Sequence, residues 1–182
     1  MTAGCYSSGF RVAPTSVAKI RAAAMNVRHV LVPDGAPDLE AFVGSLQKFN
    51  ITCDVVDDDF LLPGVEASCI PDQRVIYIAA STYDAICRND GRARFTLFHE
   101  LGHLLLAHSR SFHRDTRSSF PVWENSEWQA DQFAAEITMP LNVILEKNLT
   151  EAWELQEEFG VSYLAACNRL SKLRQKGEMK NA

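Results

Sequence analysis

Apolar side chains recur at three- and four-residue spacing in several stretches of the chain, a spacing typical of one buried face of an α-helix. The run VAKIRAAAMNVRHVL predicts a first helix, which begins after Thr15 or Ser16, either of which is a fair N-cap. A second helix is predicted to begin after Asp38 and to end at Asn50. The apolar positions predicted for its buried face are Leu39, Phe42, Val43, Leu46 and Phe49.

Three short β-branched segments in the middle of the chain predict strands rather than helices. The first spans Ile51 to Val56. The other two, VEASCI and RVIYIAA, are separated by Pro71-Asp72 and predict a β-hairpin or two neighbouring strands. The pattern leaves the order of the strands in the sheet open.

The second half of the chain predicts helices. The segment RARFTLFHELGHLLLAH, residues 92–108, is apolar on most sides and predicts a buried central helix. A polar loop separates it from another predicted helix over residues 125–138, which must end before Pro140. Two or three short helices are predicted beyond it, broken near Asn148 and Gly160.

No internal repeat or long linker divides these segments, and a chain of 182 residues suits one domain. We therefore predict a flexible N-terminal tail over residues 1–14 and a single domain over residues 15–182. Within that domain, residues 150–176 are expected to form a helical C-terminal part.

Composition excludes several classes of protein. A hydrophobic content of 47% excludes a wholly disordered chain. No apolar stretch approaches the roughly 20 residues that span a bilayer, and the N-terminus does not resemble a secretory leader, so we expect a cytoplasmic protein without a membrane partner. The five cysteines are scattered without a CxxC pair, which argues against a zinc ribbon or a disulfide framework. The net charge of −5 argues against a protein that coats nucleic acid.

The central predicted helix carries an HEXXH motif, His99-Glu100-Leu101-Gly102-His103. Two histidines four residues apart project from the same face of a helix and can bind one Zn²⁺. Glu100 lies about 100° around the helix from His99, where it can contact a metal-bound water and serve as a general base. Two buried histidines with a carboxylate between them are costly in an apolar helix unless they have such a purpose.

A third ligand is needed, and Glu127 in the next predicted helix is the candidate. Asp131 lies four residues further on the same face, where it can accept the second N–H of a ligand histidine and so set its tautomer. The alternative is that Glu127 and Asp131 are a solvated charge pair on an amphipathic helix.

The segments FTLFHELGHLLLAH and EWQADQFAAEITMP together resemble the ImmA/IrrE metallopeptidases, a branch of the zincins with the glutamate-ligand arrangement also found in thermolysin. The resemblance extends from about Asp38 to Leu173. It implies an α+β fold, namely a compact zincin-like domain in which a small sheet packs on the HEXXH helix and short C-terminal helices follow.

The same resemblance assigns roles to site residues. It implies that His99, His103 and Glu127 bind Zn²⁺, with Mn²⁺ as the alternative metal. Glu100 is then the catalytic residue that activates water for hydrolysis of a peptide bond, and Asp131 supports the ligands. The protein substrate implied by the family is a helix-turn-helix transcriptional repressor, so the chain would act as an antirepressor in mobile-element or stress control.

Other polar residues are candidates for supporting roles. His113, Tyr83 and Tyr77 are candidates for stabilising an oxyanion or contacting substrate, and the sequence does not choose among them. His108 follows the apolar end of the HEXXH helix, where a structural role is favoured over a catalytic one. Gly102 interrupts this helix at a cost of about 1 kcal/mol relative to alanine, which a close approach by another backbone would explain.

A regulatory binding module is the main alternative function. The C-terminal segment carries the basic residues Arg169, Lys172, Arg174, Lys176 and Lys180 against Glu178 as its one acid, and Gly160-Val161-Ser162 precedes a predicted helix. Such a segment could contact DNA weakly, although a solvated basic face is the simpler interpretation. A toxin–antitoxin component whose metal site serves another target is a further alternative.

Overall fold

The computed structural model describes residues 9–31, 39–108 and 120–179. Within these ranges the chain forms eight α-helices and one three-stranded sheet, so the predicted α+β class is confirmed. The helices are α1 (Val17–Leu31), α2 (Leu39–Leu46), α3 (Ala80–Cys87), α4 (Gly91–Leu105), α5 (Ser126–Thr138), α6 (Leu141–Glu146), α7 (Ala152–Phe159) and α8 (Tyr163–Gln175). None of these helices combines the length and the apolar character needed to cross a bilayer.

The sheet contains β1 (Thr52–Val56), β2 (Ala67–Ile70) and β3 (Val75–Ala79) in the order β1-β3-β2. Strands β2 and β3 are antiparallel and are joined by a tight 3₁₀ turn, which confirms the predicted hairpin. Strand β1 pairs with β3 in parallel, a relationship that the sequence pattern left open.

Side-chain caps set the start of three helices, and the first of them, Ser16, is one of the two caps that the sequence predicts. The Ser16 hydroxyl accepts the amide N–H of Lys19 at 3.3 Å before α1. The Asp90 carboxylate accepts two amide N–H groups at the start of α4, and the Asn125 side chain accepts the amide of Trp128 at the start of α5. The predicted cap Asp38 lies outside the described residues.

The predicted apolar face of the second helix is wrong at one position. Phe42 and Leu46 are buried, but Phe49 is 42% exposed. The chain leaves the α-helix after Leu46 and tightens into a 3₁₀ turn at Gln47–Phe49. The α-helix therefore ends before Phe49, and its regular buried face does not extend to this residue.

Two hydrophobic clusters form the interior. The larger one joins α1, α2, the sheet, α3, α4 and α5, and includes Ile76, Leu97, Phe98 and Phe133. The smaller one joins α6, α7 and α8. Arg94 of α4 connects the two parts, because its buried guanidinium donates hydrogen bonds to the carbonyl oxygens of Phe159 and Gly160.

Residues 9–14, the described part of the predicted tail, are held against the start of α5. The Val12 amide donates to the Glu124 carbonyl at 2.8 Å, and Arg11 forms an antiparallel bridge with Asn125. The Phe10 amide also donates to the Ser126 hydroxyl at 3.1 Å. These hydrogen bonds join the described part of this segment to the start of α5.

Candidate metal centre

Helices α4 and α5 pack directly on each other and carry the candidate ligands. The two histidines of the HEXXH motif point from α4 toward the first turn of α5, where Glu127 lies. The side chains of His99, His103 and Glu127 are 18%, 11% and 29% exposed, so the protein encloses the cluster but leaves one side open to solvent.

The three side chains converge on one point. The Nε2 atoms of His99 and His103 lie 3.0 Å apart. One carboxylate oxygen of Glu127 lies 3.2 Å from His99 Nε2, and the other lies 3.4 Å from His103 Nε2. All three ligand atoms lie within 4.8 Å of one another, so this group could hold a metal ion.

The Nδ1 atom of each imidazole, on the side away from Glu127, contacts a different polar side chain. Asp131 Oδ1 lies 3.0 Å from His99 Nδ1, and Asp131 follows Glu127 by one helical turn. His103 Nδ1 lies 2.9 Å from Nδ1 of the buried His108, whose Nε2 lies 3.0 Å from Oε1 of Gln129. Gln129 was not predicted from the sequence to belong to the site. The signal that could have identified it is a polar amide on the helix face that carries the apolar residues Ala130 and Phe133.

The donor atoms suit a divalent cation. An ionised carboxylate such as Asp131 only accepts hydrogen bonds, so His99 places a proton on Nδ1 and turns the Nε2 lone pair toward Glu127. Lone pairs and carboxylate oxygens that face each other repel unless a positive charge lies between them. Two imidazole nitrogens and one carboxylate oxygen are also a ligand set used by catalytic zinc sites.

The protonation behaviour of the cluster agrees with that charge pattern. Burial lowers the pKa of His99, but hydrogen bonds to Asp131 and Glu127 outweigh it and raise the pKa to about 10. The hydrogen bonds to His103 and His99 hold the pKa of Glu127 far below its usual range. The surroundings therefore favour positive charge at this point, which a bound cation would supply. Burial also lowers the pKa of His108 to about 4, so its ring is neutral near pH 7.

A family model matches the part of the chain that carries this cluster. The model of the Peptidase_M78 family, described as the IrrE N-terminal-like domain, matches residues 64–171, which is more than half of the chain and includes the whole cluster. The chain belongs to this family. The resemblance to the ImmA/IrrE peptidases is thereby confirmed.

A solved structure with a similar fold accompanies this assignment. A transcriptional regulator of Mycobacterium tuberculosis superimposes with a TM-score of 0.51 at 20% sequence identity. The likeness covers 82% of this chain but only 46% of the regulator, so the chain spans about half the length of that protein. At this identity the comparison shows the fold alone. Among curated proteins, none is significantly similar to this chain in sequence.

Glu100, which follows His99 in the HEXXH motif, lies beside the cluster and is partly buried. Burial raises the pKa of its carboxyl group, although the charges of His103 and His99 oppose that rise. The Cys69 thiol of β2 also hydrogen-bonds to this carboxyl group. This contact is with the carboxyl group of Glu100 rather than with the ligand cluster.

The remaining predicted site residues are Tyr77, Tyr83 and His113, and none of them lies in the ligand cluster that the structure describes. Tyr77 does not join the cluster: it alternates along β3 with the buried Ile76, whose cross-strand neighbour is Cys69. Its ring therefore lies on the opposite face of the sheet from Cys69 and packs against Phe60, with ring centroids 5.6 Å apart. Tyr83 lies in α3 and packs against the larger hydrophobic cluster. His113 lies outside the described residues.

Most of the basic side chains predicted to form a C-terminal face are used within the fold. Arg169 is only 3% exposed, forms an ion pair with Glu136 at 2.9 Å and donates to the Met139 carbonyl. Arg174 donates to the Thr150 carbonyl, and the Lys176 amine donates to Gln132. Lys172 is exposed, and Lys180 lies outside the described residues. Arg169 is therefore a structural residue and not a DNA contact, because its charge is already paired inside the protein.

Proposed function

We propose that this chain is a zinc-dependent metalloendopeptidase of the HEXXH type. The observation that carries the proposal is the convergence of His99, His103 and Glu127 on one point, with Glu100 on the same helix. Family membership supports peptidase activity, and three protein ligands would leave a coordination position for reactants, as in catalytic zinc sites. Mn²⁺ is the alternative metal for the same donors.

A divalent cation in this cluster would supply a Lewis acid, which polarises the scissile carbonyl and makes water more acidic. Asp131 would orient His99 through its Nδ1 proton. The exposed side of the cluster would admit an extended segment of the substrate.

Glu100 would move the proton in the reaction. As the oxygen of water bonds to the carbonyl carbon, the carboxylate accepts one proton from that water. It then delivers this proton to the amide nitrogen as the C–N bond breaks, so one product carries a new carboxylate and the other a new amine. Its partly buried position suits this task, since burial makes the protonated form easier to reach.

The substrate we propose is a helix-turn-helix transcriptional repressor that is cleaved at one site. The resemblance to ImmA/IrrE peptidases supports this choice, and the regulator with the similar fold is consistent with a role in transcription control. The chain would then act in the cytoplasm as an antirepressor.

The test is direct cleavage of one defined protein. Purified chain loaded with Zn²⁺ is incubated with a helix-turn-helix repressor encoded beside it, and intact masses are measured over time. We expect two fragments that add up to the repressor plus one water, and no fragments in excess chelator. Uncut repressor at all times, with zinc bound stoichiometrically, would reject this substrate. Cleavage that persists in chelator would reject the metal mechanism.

A further inference from the structure

A relay of hydrogen bonds runs from the ligand His103 to the main chain, and its direction can be deduced from its far end. The Gln129 amide nitrogen lies 2.9 Å from the Ala13 carbonyl oxygen and 2.7 Å from the Trp123 carbonyl oxygen. Carbonyl oxygens only accept hydrogen bonds, so the NH₂ group must face them. The Gln129 oxygen must then face His108.

The next link follows from the same rule. Gln129 Oε1 lies 3.0 Å from His108 Nε2, and an amide oxygen only accepts, so His108 carries its proton on Nε2. His108 and Gln129 are 3% and 1% exposed, so water does not compete for these groups. With one proton on its ring, His108 keeps a lone pair on Nδ1.

The last link reaches the candidate ligand. His108 Nδ1 and His103 Nδ1 lie 2.9 Å apart, and a hydrogen bond between them needs one proton. Because His108 offers a lone pair there, His103 donates. A neutral His103 with its proton on Nδ1 has its free lone pair on Nε2, the atom that lies 3.4 Å from Glu127.

We propose that His108 and Gln129 are positioning residues that hold His103 in the tautomer that binds metal through Nε2. The inference rests on the proposed metal site and goes beyond it. His99 receives the equivalent support from the carboxylate of Asp131, whereas His103 receives it from a neutral relay that ends on Ala13 and Trp123. The short segment of residues 9–14 thus takes part in the metal centre, because it supplies one of the two terminal acceptors.

The relay predicts a graded loss of zinc affinity. His108→Phe keeps a ring but removes the acceptor, and Gln129→Met keeps the length of the side chain but removes its polar atoms. We expect each variant to bind Zn²⁺ roughly 10- to 100-fold more weakly than wild type, measured by competition with a chromophoric chelator. His108→Asn places an oxygen near the position of Nδ1, and we expect it to recover part of the loss.

A matched variant separates positioning from general damage to the fold. Ile137→Ala removes buried volume from the same helix without touching the relay, and we expect its zinc affinity to stay within about twofold of wild type. If His108→Phe does not fold, Gln129→Met tests the same relay one step further from the ligands. Wild-type affinity in Gln129→Met, or an equal loss in Ile137→Ala, would overturn the proposal.

Nitrogen-15 NMR of the histidine rings in the zinc-loaded protein provides a readout other than activity. We expect His103 to carry its proton on Nδ1 and His108 to carry its proton on Nε2. A proton on His108 Nδ1, or zinc bound to Nδ1 of His103, would contradict the relay.

The variant His99→Ala distinguishes failure of the relay from failure of the metal site. If zinc binding is lost in His99→Ala but unchanged in both relay variants, the metal site stands and the relay is rejected. If zinc binding is unchanged in His99→Ala as well, the metal site itself is rejected, and the relay with it.

Discussion

Gly102 of α4 lies against Ala130 of α5 so closely that a β-carbon on Gly102 would be 3.2 Å from the Ala130 Cα atom. The side chain of Phe133 lies at the same distance from that position. Because Gly102 has no side chain, the two helices can approach closely. His103 Nε2 of α4 then lies 3.4 Å from a carboxylate oxygen of Glu127 in α5. The close approach expected for Gly102 is thus present, and it brings together the ligands of the candidate metal centre.

Two helical glycines give a matched test of this contact. Gly44 in α2 has no atom within 4 Å of its β-position, so Gly44→Ala should raise the free energy of unfolding by up to about 1 kcal/mol through helix propensity. Gly102→Ala should lack that gain, and Gly102→Val should lose about 1–3 kcal/mol by overpacking against α5. Urea unfolding measures all three. Equal stabilisation by alanine at both positions would show that α4 and α5 can move apart at little cost in free energy, and would contradict a tight contact at Gly102.

Replacing Glu100 by glutamine should separate chemistry from metal binding. The amide has nearly the same shape as the carboxylate but cannot accept a proton from water. We expect Glu100→Gln to lower the cleavage rate by about 10²–10⁴-fold with zinc content and melting temperature unchanged. Mass spectrometry of the repressor fragments and metal analysis of the same sample provide the measurements. A variant with full activity would remove Glu100 from the mechanism.

Zinc should stabilise the folded protein through its ligands. A ligand that binds only the native state at 100 times its dissociation constant adds about 2.7 kcal/mol to the free energy of unfolding. We expect this gain in the wild-type protein and its loss in His99→Ala and Glu127→Gln. His29 is an exposed histidine of α1, so His29→Ala serves as the control that keeps the gain. Thermal unfolding with and without Zn²⁺ measures each case.

Glu136 should make stability depend on pH in a defined direction. Burial raises the pKa of its carboxyl group, but the charges of Arg169 and Arg21 outweigh it and hold the pKa below its usual value in the folded state. The stabilisation is therefore fully present above about pH 4.5 and is lost as the pH falls through the lower, folded pKa.

The variant Glu136→Gln isolates this contribution from other carboxylates. It should cost about 3 kcal/mol at pH 7, the lower end for a broken buried pair, because the amide oxygen can still accept a hydrogen bond. The difference from wild type should shrink as the pH falls, since a protonated Glu136 resembles glutamine. Urea unfolding at several pH values measures the difference. A constant gap down to pH 3 would contradict the assignment.

Arg94 should hold the C-terminal helices to the HEXXH helix. Arg94→Met removes the hydrogen bonds to the carbonyls of Phe159 and Gly160, and the buried Phe159 acceptor left without this partner costs about 1–3 kcal/mol. We expect lower stability and faster hydrogen exchange in α7 and α8. The control is Arg92→Met, because the Arg92 side chain is 82% exposed and its pair with Glu66 contributes at most about 1 kcal/mol. Equal hydrogen exchange in the two variants would argue against a clamp.

The sequence by itself determined the local structure and the core of the chemistry. Helix ends are specified by residues that lie next to them in the sequence. Examples are the caps Ser16, Asp90 and Asn125 and the left-handed residue Gly160. The side-by-side placement of His99 and His103 likewise follows from four-residue spacing on one helix.

The tertiary structure decided the relationships between distant segments. The parallel pairing of β1 with β3 and the burial of Arg169 beside Glu136 depend on how whole elements pack. So does the relay through His108 and Gln129, because its members come from three separate stretches of chain, at residues 13, 103–108 and 123–129. Steric fit at Gly102 and the requirement that every buried polar group find a partner are properties of the packed molecule, and no local pattern of residues expresses them.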